Sequence, residues 1–229
     1  MPSINQGAWR PGTNNYEFGF ASIPNIPITG APADANLARF DMLHDGSTYR
    51  LYCFKGSTAD QLYQFGWNGT SYDYGYNSIP VLSLTNMPGD ADASSFSMLH
   101  SGGNYHCYLR RLGDPSVLYQ FIWIPGTTTY QWGPPGWYST PNVDGFPVDA
   151  DWSRWSMLHD GDTYRLYSMQ YGSNDRLYQG SWNAASARYE YGHHSIPQLD
   201  LVGFPSDSLH GRPAMLHDGT NYRFYFQAS

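Results

Sequence analysis

The chain has 229 residues, a formal net charge of −7, and 14% charged against 17% aromatic residues. With Lys55 as its single lysine it carries no basic phosphate-binding stripe, so nucleic acid and anionic membrane surfaces are not expected partners. Twenty Tyr and eight Trp supply the apolar surface that a disordered acidic chain lacks, and 24 Gly with 16 Pro suit many short strands joined by tight turns.

From the N-terminus, "MPSINQGAWRPG" shows no charged segment followed by an apolar run, and no stretch approaches a membrane span. The expected location is cytoplasmic, or outside the cell by a route without a classical signal, with no membrane insertion. Two short strands are then predicted, "INQGAW" (4–9) and "YEFGFASIP" (16–24). Their partners become clear only at the other end of the chain.

Next comes a unit that recurs. It opens on Pro32-x-Asp34 and runs into "RFDMLHDGSTYRLY", a strand, an Asp-Gly turn and a second strand. Gly46 suits the turn because it accepts positive φ without a Cβ clash. A third strand, "LYQFGW" (62–67), and a segment "YDYGYNSIP" (72–80) complete the unit. Side chains alternate with period two: Phe40, Met42 and His44 on one face, Asp41, Leu43 and Asp45 on the other. That period and the prolines exclude a helical bundle.

The "MLH" triplet returns with His100, His159 and His217, at steps of 56, 59 and 58 residues from His44. Pro88/Asp90, Pro147/Asp149 and Pro205/Asp207 precede it, and "LYQFIW" (118–123) and "LYQGSW" (177–182) follow. The second unit ends in a longer, irregular "YQWGPPGWYSTP" (130–141), the third in "YEYGHHSIP" (189–197). The fourth stops at "FYFQAS", and the pieces it lacks are the two strands at the N-terminus. A repeat split across both termini points to a closed ring, because the borrowed strands lock the first unit to the last and remove exposed sheet edges. The expectation is one all-β domain over 1–229, a four-bladed β-propeller with blades near 31–80, 87–141, 146–197 and 204–229 plus 1–24. Cys53 and Cys107 lie in neighbouring units, two places out of register, and read as buried thiols.

The unit resembles the hemopexin-type repeat, carried here by "GFPVDAD" (145–151), "MLHDGDTYRLY" (157–167) and "SIPQLDLVGFP" (195–205). The resemblance implies a four-bladed propeller whose central channel holds a cation. On that reading Asp34, Asp90, Asp149 and Asp207 mark the metal site, with oxygen ligands suited to Ca²⁺ or Na⁺. A competing reading has each Asp capping its own turn. The "MLHDG" wording is not the family's usual one, and the disulfide that commonly joins its first and last blades has no counterpart.

Chemistry-bearing candidates are of two kinds. No Gly-x-Ser-x-Gly, His-Glu-x-x-His or phosphate-cradling Gly loop occurs, and residues multiplied by symmetry rarely provide two carboxyl groups in different environments, so no enzyme is expected and no organic cofactor. The His44, His100, His159, His217 set reads as structural imidazoles rather than a four-nitrogen metal site. What repeats is an aromatic and polar surface: Trp9, Trp67, Trp123 and Trp182 with Gln6, Gln64, Gln120 and Gln179, beside Arg50, His106, Arg165 and Arg223. Flat rings stack on sugar C–H faces while Arg or Gln bonds hydroxyls, although blade packing is an equally physical use for aromatics. Trp132, Trp137 and Tyr138 break the symmetry in a Pro/Gly loop and join the candidates. The expected function is therefore a multivalent carbohydrate-binding lectin, monomeric or a small homo-oligomer, with glycans or glycoproteins as partners. The alternatives are a hemopexin-like protein binding haem, a polyamine or a channel cation, and a protein-interaction scaffold.

Overall fold

A computed structural model describes residues 2–56, 58–133, 140–205 and 211–228. Among them every regular element is a strand. The N-terminal segment gives β1 (Ser3–Trp9), β2 (Asn15–Phe18) and β3 (Asn25–Thr29). The first repeat follows as β4 (Ala35–His44), β5 (Tyr49–Lys55), β6 (Gln61–Trp67), β7 (Tyr72–Tyr74) and β8 (Val81–Thr85). The second is β9 (Ala91–Ser101), β10 (Asn104–Arg111), β11 (Asp114–Trp123), β12 (Thr129–Trp132) and β13 (Asn142–Asp144). The third is β14 (Ala150–His159), β15 (Tyr164–Gln170), β16 (Arg176–Asn183), β17 (Arg188–Tyr191) and β18 (Gln198–Val202), and the chain ends in β19 (Ala214–His217) and β20 (Tyr222–Gln227).

Each repeat is an antiparallel meander, β4-β5-β6-β7 in the first. The fourth is completed from the N-terminus: β1 pairs with β20 from Ile4↔Gln227 to Ala8↔Arg223, and β2 then pairs with β1. Each repeat is also stitched to the next by its last strand. β8 pairs antiparallel with β6 of its own repeat and parallel with β12 of the next, and β13, β18 and β3 repeat the device. Since β3 joins β1 to β7, the circuit closes.

The inner strands β4, β9, β14 and β19 pack side by side in a cycle, each touching two others. This changes the meaning of the period-two pattern. Both faces of β4 are buried from Phe40 to Leu43, because each face meets a different neighbouring repeat. Phe40 and Met42 join Ala214 and Leu216 in one core, while Leu43 joins Phe96 and Met98 in another. Two further cores occupy the remaining junctions, so the apolar interior lies between repeats rather than within them. Cys53 and Cys107 are free and buried, as expected from the sequence.

One backbone detail distinguishes the second repeat. A Cβ on Gly66 would sit 1.9 Å from the Tyr76 carbonyl oxygen, and one on Gly180 2.6 Å from that of Glu190. Glycine on the third strand therefore lets the following loop fold down on it. Gly180 lies one place earlier in its repeat than Gly66 does; the second repeat has Phe121 and Ile122 at these two places, and its loop sequence is the longer, irregular one.

Candidate functional site

At each junction the same strands converge. One repeat contributes the start of its second strand, its third-strand Gln and its "SIP" loop. The next contributes the first Tyr of its second strand, its third-strand Trp and the Tyr behind it. Four clefts result. Arg50, Tyr52, Gln64 and Ile79 face Tyr105, Trp123 and Tyr130 between the first and second repeats. His106, Tyr108, Gln120 and Pro141 face Tyr164, Trp182 and Tyr189 between the second and third. Arg165, Tyr167, Gln179 and Ile196 face Tyr222, Trp9 and Tyr16 between the third and fourth. Arg223, Tyr225, Gln6 and Ile23 face Tyr49, Trp67 and Tyr72 where the ring closes. The three clefts with arginine enclose about 290, 290 and 270 Å³.

Trp9, Trp67, Trp123, Trp182, Arg50, Arg165 and Arg223 are thus brought together, pairwise, across the seams. The tryptophans are half-buried. Trp9 and Trp123 are anchored by indole N–H bonds to the Thr13 and Thr127 carbonyls at 3.1 and 3.2 Å. Edge-to-face contacts with Tyr222 and Tyr105, at 5.9 and 5.6 Å between centroids, fix two of the rings further. Trp132 instead packs on Tyr119 at 5.8 Å and lines none of these clefts. Trp137 and Tyr138 lie outside the described residues.

The arginines are held rather than free. Arg50 Nε donates to Asp45 at 3.3 Å and Arg165 Nε to Asp160 at 2.7 Å, and Arg223 pairs with Asp218 in the same way. Each guanidinium also reaches a loop carbonyl: Asn77 at 3.2 Å, His194 at 3.5 Å, Ala21 at 3.0 Å. The Gln that recurs on the third strand completes the brace in two seams, with Gln179 Oε1 2.8 Å from Arg165 Nη1 and Gln6 Oε1 2.9 Å from Arg223 Nη1. Across the seam, Tyr105, Tyr222 and Tyr49 donate to Asp45, Asp160 and Asp218 at 2.9, 2.9 and 3.2 Å. Burial alone would raise the Asp160 and Asp218 carboxyls, but backbone amides and the arginines outweigh it and hold both at about 2. These ion pairs stay charged at any physiological pH.

The aspartates and the first tyrosines of each second strand were not among the sequence candidates. "HDG" reads as a turn, and Asp45 Oδ1 does accept from Ser47 and Thr48 amides as a turn residue should. Its second oxygen carries the ion pair. The signal lay in the exception: the second repeat has Ser101 for Asp45 and His106 for Arg50, both replaced together.

The remaining candidates fall elsewhere. Asp34, Asp90 and Asp149 each accept a hydroxyl from a tyrosine on their own third strand, Tyr63, Tyr119 and Tyr178, at 2.8, 2.7 and 2.9 Å. Their carbonyls receive the amides of Gly56, Leu112 and Tyr171. The expected convergence on a channel is therefore not what these side chains do: they point into their own repeats. Asp207 lies outside the described residues, and among those described no group of three or more His, Cys, Asp or Glu is placed to hold a metal. His44, His100, His159 and His217 surround the axial mouth, each ring packed at a tilt against the tyrosine of its own hairpin at 4.3–4.8 Å between centroids. Burial lowers the pKa of all four. The mouth encloses about 20 Å³, room for a water but not for haem or a polyamine.

No family model matches the chain, and no curated protein matches it. Among solved structures, AofleA from Arthrobotrys oligospora is 14% identical, with 85% of this chain and 52% of that one covered and a TM-score of 0.33. A variant of Aleuria aurantia lectin in complex with Fucα1-6GlcNAc is 15% identical, with 99% and 71% covered and a TM-score of 0.37. The chain spans about half the length of the AofleA structure. Superpositions this loose leave fold and function to rest on the chain's own geometry.

Proposed function

We propose that the four repeats are the blades of a four-bladed, hemopexin-like β-propeller, and that the seams between blades bind sugars, making the protein a multivalent lectin. The carrying observation is the recurrence, at separated seams, of a half-exposed Trp opposite a braced Arg over a floor of buried tyrosines. The ring offers an apolar face to sugar C–H groups, while the guanidinium and Gln offer directional donors and acceptors to hydroxyls. Because each guanidinium is already matched by a carboxylate, an arginine seam has no surplus positive charge. The ligand it suits is a neutral sugar rather than a sialylated or sulfated one. Single sites of this kind are weak; several on one rigid body raise avidity for a glycosylated surface by ~10²-fold or more.

The test is a glycan array at micromolar protein, together with agglutination of erythrocytes and its inhibition by free sugar. Retention of neutral glycans with competition by the monosaccharide is expected. A blank array, with no agglutination, would overturn the reading.

A further inference from the structure

We infer that the protein has three sugar seams of one kind and a fourth of another, and that the Arg–Asp pair is the determinant dividing them. This rests on the sugar-binding reading above. The second–third seam keeps the frame of the others: Trp182 is in place, and Tyr164 still reaches across, now to the Ser101 hydroxyl at 2.9 Å. What it lacks is the charge. His106 replaces the arginine and turns to Gln120 at 2.9 Å within its own repeat. Burial, reinforced by His100 and His159 nearby, lowers its pKa to about 4, so at neutral pH it is an uncharged ring.

The double replacement has a physical logic. In the other seams the paired side chains are 4–6% exposed at the carboxylate and 15–17% at the guanidinium. Changing one partner alone would strand a desolvated charge, which is strongly unfavourable. Changing both keeps the fold and removes the charged donor, leaving a seam that is closed yet chemically different. It is also larger, about 440 Å³. A ligand recognised through a guanidinium in three seams loses that charge-assisted contact in the fourth.

Each seam carries its own reporter, so the inference is tested by ¹⁹F NMR of protein labelled with 5-fluorotryptophan. The probes are methyl glycosides of neutral hexoses, 6-deoxyhexoses and N-acetylhexosamines. For a glycoside that binds, Trp9, Trp67 and Trp123 are expected to shift with affinities within about threefold of one another, and Trp182 at least tenfold more weakly. Equal response of all four overturns the inference while leaving the lectin reading intact. Silence of all four against every probe removes the lectin reading and the inference with it. Two exchanges then assign the cause. Ser101→Asp with His106→Arg should bring Trp182 into the set. Asp160→Ser with Arg165→His should weaken the Trp9 response at least tenfold while Trp67 and Trp123, reporting an intact fold, respond as before. An unchanged Trp9 response in that variant would overturn the role of the pair.

Discussion

The axis and the seams of this ring are built from the same four repeats and treat symmetry in opposite ways. At the seams, aromatic and polar residues recur nearly unchanged. At the axis, the position before each "Met-Leu-His" is Asp41, Ser97, Ser156 and Ala214, three residue types in four equivalent places. Met98 N–H donates to Asp41, Met157 N–H to Ser97 Oγ at 2.8 Å, and Met215 N–H to Ser156 Oγ at 2.9 Å. Ser97 and Ser156 in turn donate to the Asp41 carboxyl at 2.8 and 3.0 Å. Identical carboxylates converging there would repel one another in a desolvated site; one acceptor fed by two hydroxyls does not. Where copies would bring like charges together, chemistry must diverge; elsewhere, at the seams and among the four histidines of the mouth, it can repeat.

The harshest way to break the comparison is to remove residues 1–24. That segment supplies β1, with Ile4 fully buried, and also Gln6, Ile23, Trp9 and Tyr16 of two seams. Its loss strips β20 of a partner along five residues. The cost is expected to exceed the ~5–15 kcal/mol by which domains are normally stable, so the truncated chain should show no cooperative thermal transition by circular dichroism. A compact, equally heat-resistant product would mean that the ring does not close through these strands. The milder Ile4→Ala should lower stability by about 2–5 kcal/mol in denaturant melts.

The axis is tested by pH. Burial raises the Asp41 carboxyl from its ordinary 3.8 to about 7, against the pull of the Met98 amide and the two serines. The folded value lies above the unfolded one, so the folded state holds the proton more tightly. Its stabilising contribution is complete below pH ~4 and is lost as pH rises through ~7, a swing of roughly 4 kcal/mol. Asp160 and Asp218, held at about 2, act in the opposite sense and only below pH ~4, so the two windows separate. His106 and the four histidines at the mouth, whose pKa values burial lowers, add stability as pH rises over the same range, so Asp41 is read by difference: between pH 5 and pH 7 the melting temperature of the parent should fall relative to that of Asp41→Asn. Parallel curves for parent and variant would overturn the assignment to Asp41.

These tests follow the line between what the sequence reveals and what it conceals. Strand period, the repeat and the split last unit are local or self-comparing signals, and the strand pairings agree with them. Trp9 and Arg165 were visible as candidates because they recur. That they face each other was not, since it depends on which side of each inner strand meets which neighbour. Asp45 was hidden by doing two things with two oxygens, one of which any Asp-Gly turn explains. Asp34, Asp90 and Asp149 show the opposite failure: equivalence under rotation says nothing about radius, and these side chains point outward to their own third-strand tyrosines.

A smaller effect is expected at a single seam. Trp123→Ala removes a half-buried ring and its contact with Tyr105, and should weaken sugar binding at the first–second seam by about tenfold, equivalent to ~1.4 kcal/mol. Arg50→Ala should cost binding similarly but stability more, because Asp45 is left desolvated without its partner. Titration followed by melting of each variant separates the two. Equal affinity in both variants and the parent would show that this seam is packing alone.

The smallest effect expected concerns the aspartates at the start of the inner strands. Asp149 accepts from Tyr178 and from the Gln170 amide at 2.8 Å, and these bonds hold its carboxyl below the ordinary value. With its oxygens so engaged, Asp149→Asn should shift the melting temperature only slightly, and addition of EDTA or millimolar Ca²⁺ should leave the parent curve in place. A Ca²⁺-dependent rise that Asp149→Asn abolishes would mean that these carboxylates exchange their tyrosines for an ion. The axis would then hold two converging sites, one on the Asp41 belt and one at the strand starts, and the contrast between a divergent axis and repeating seams would have to be drawn at a different radius.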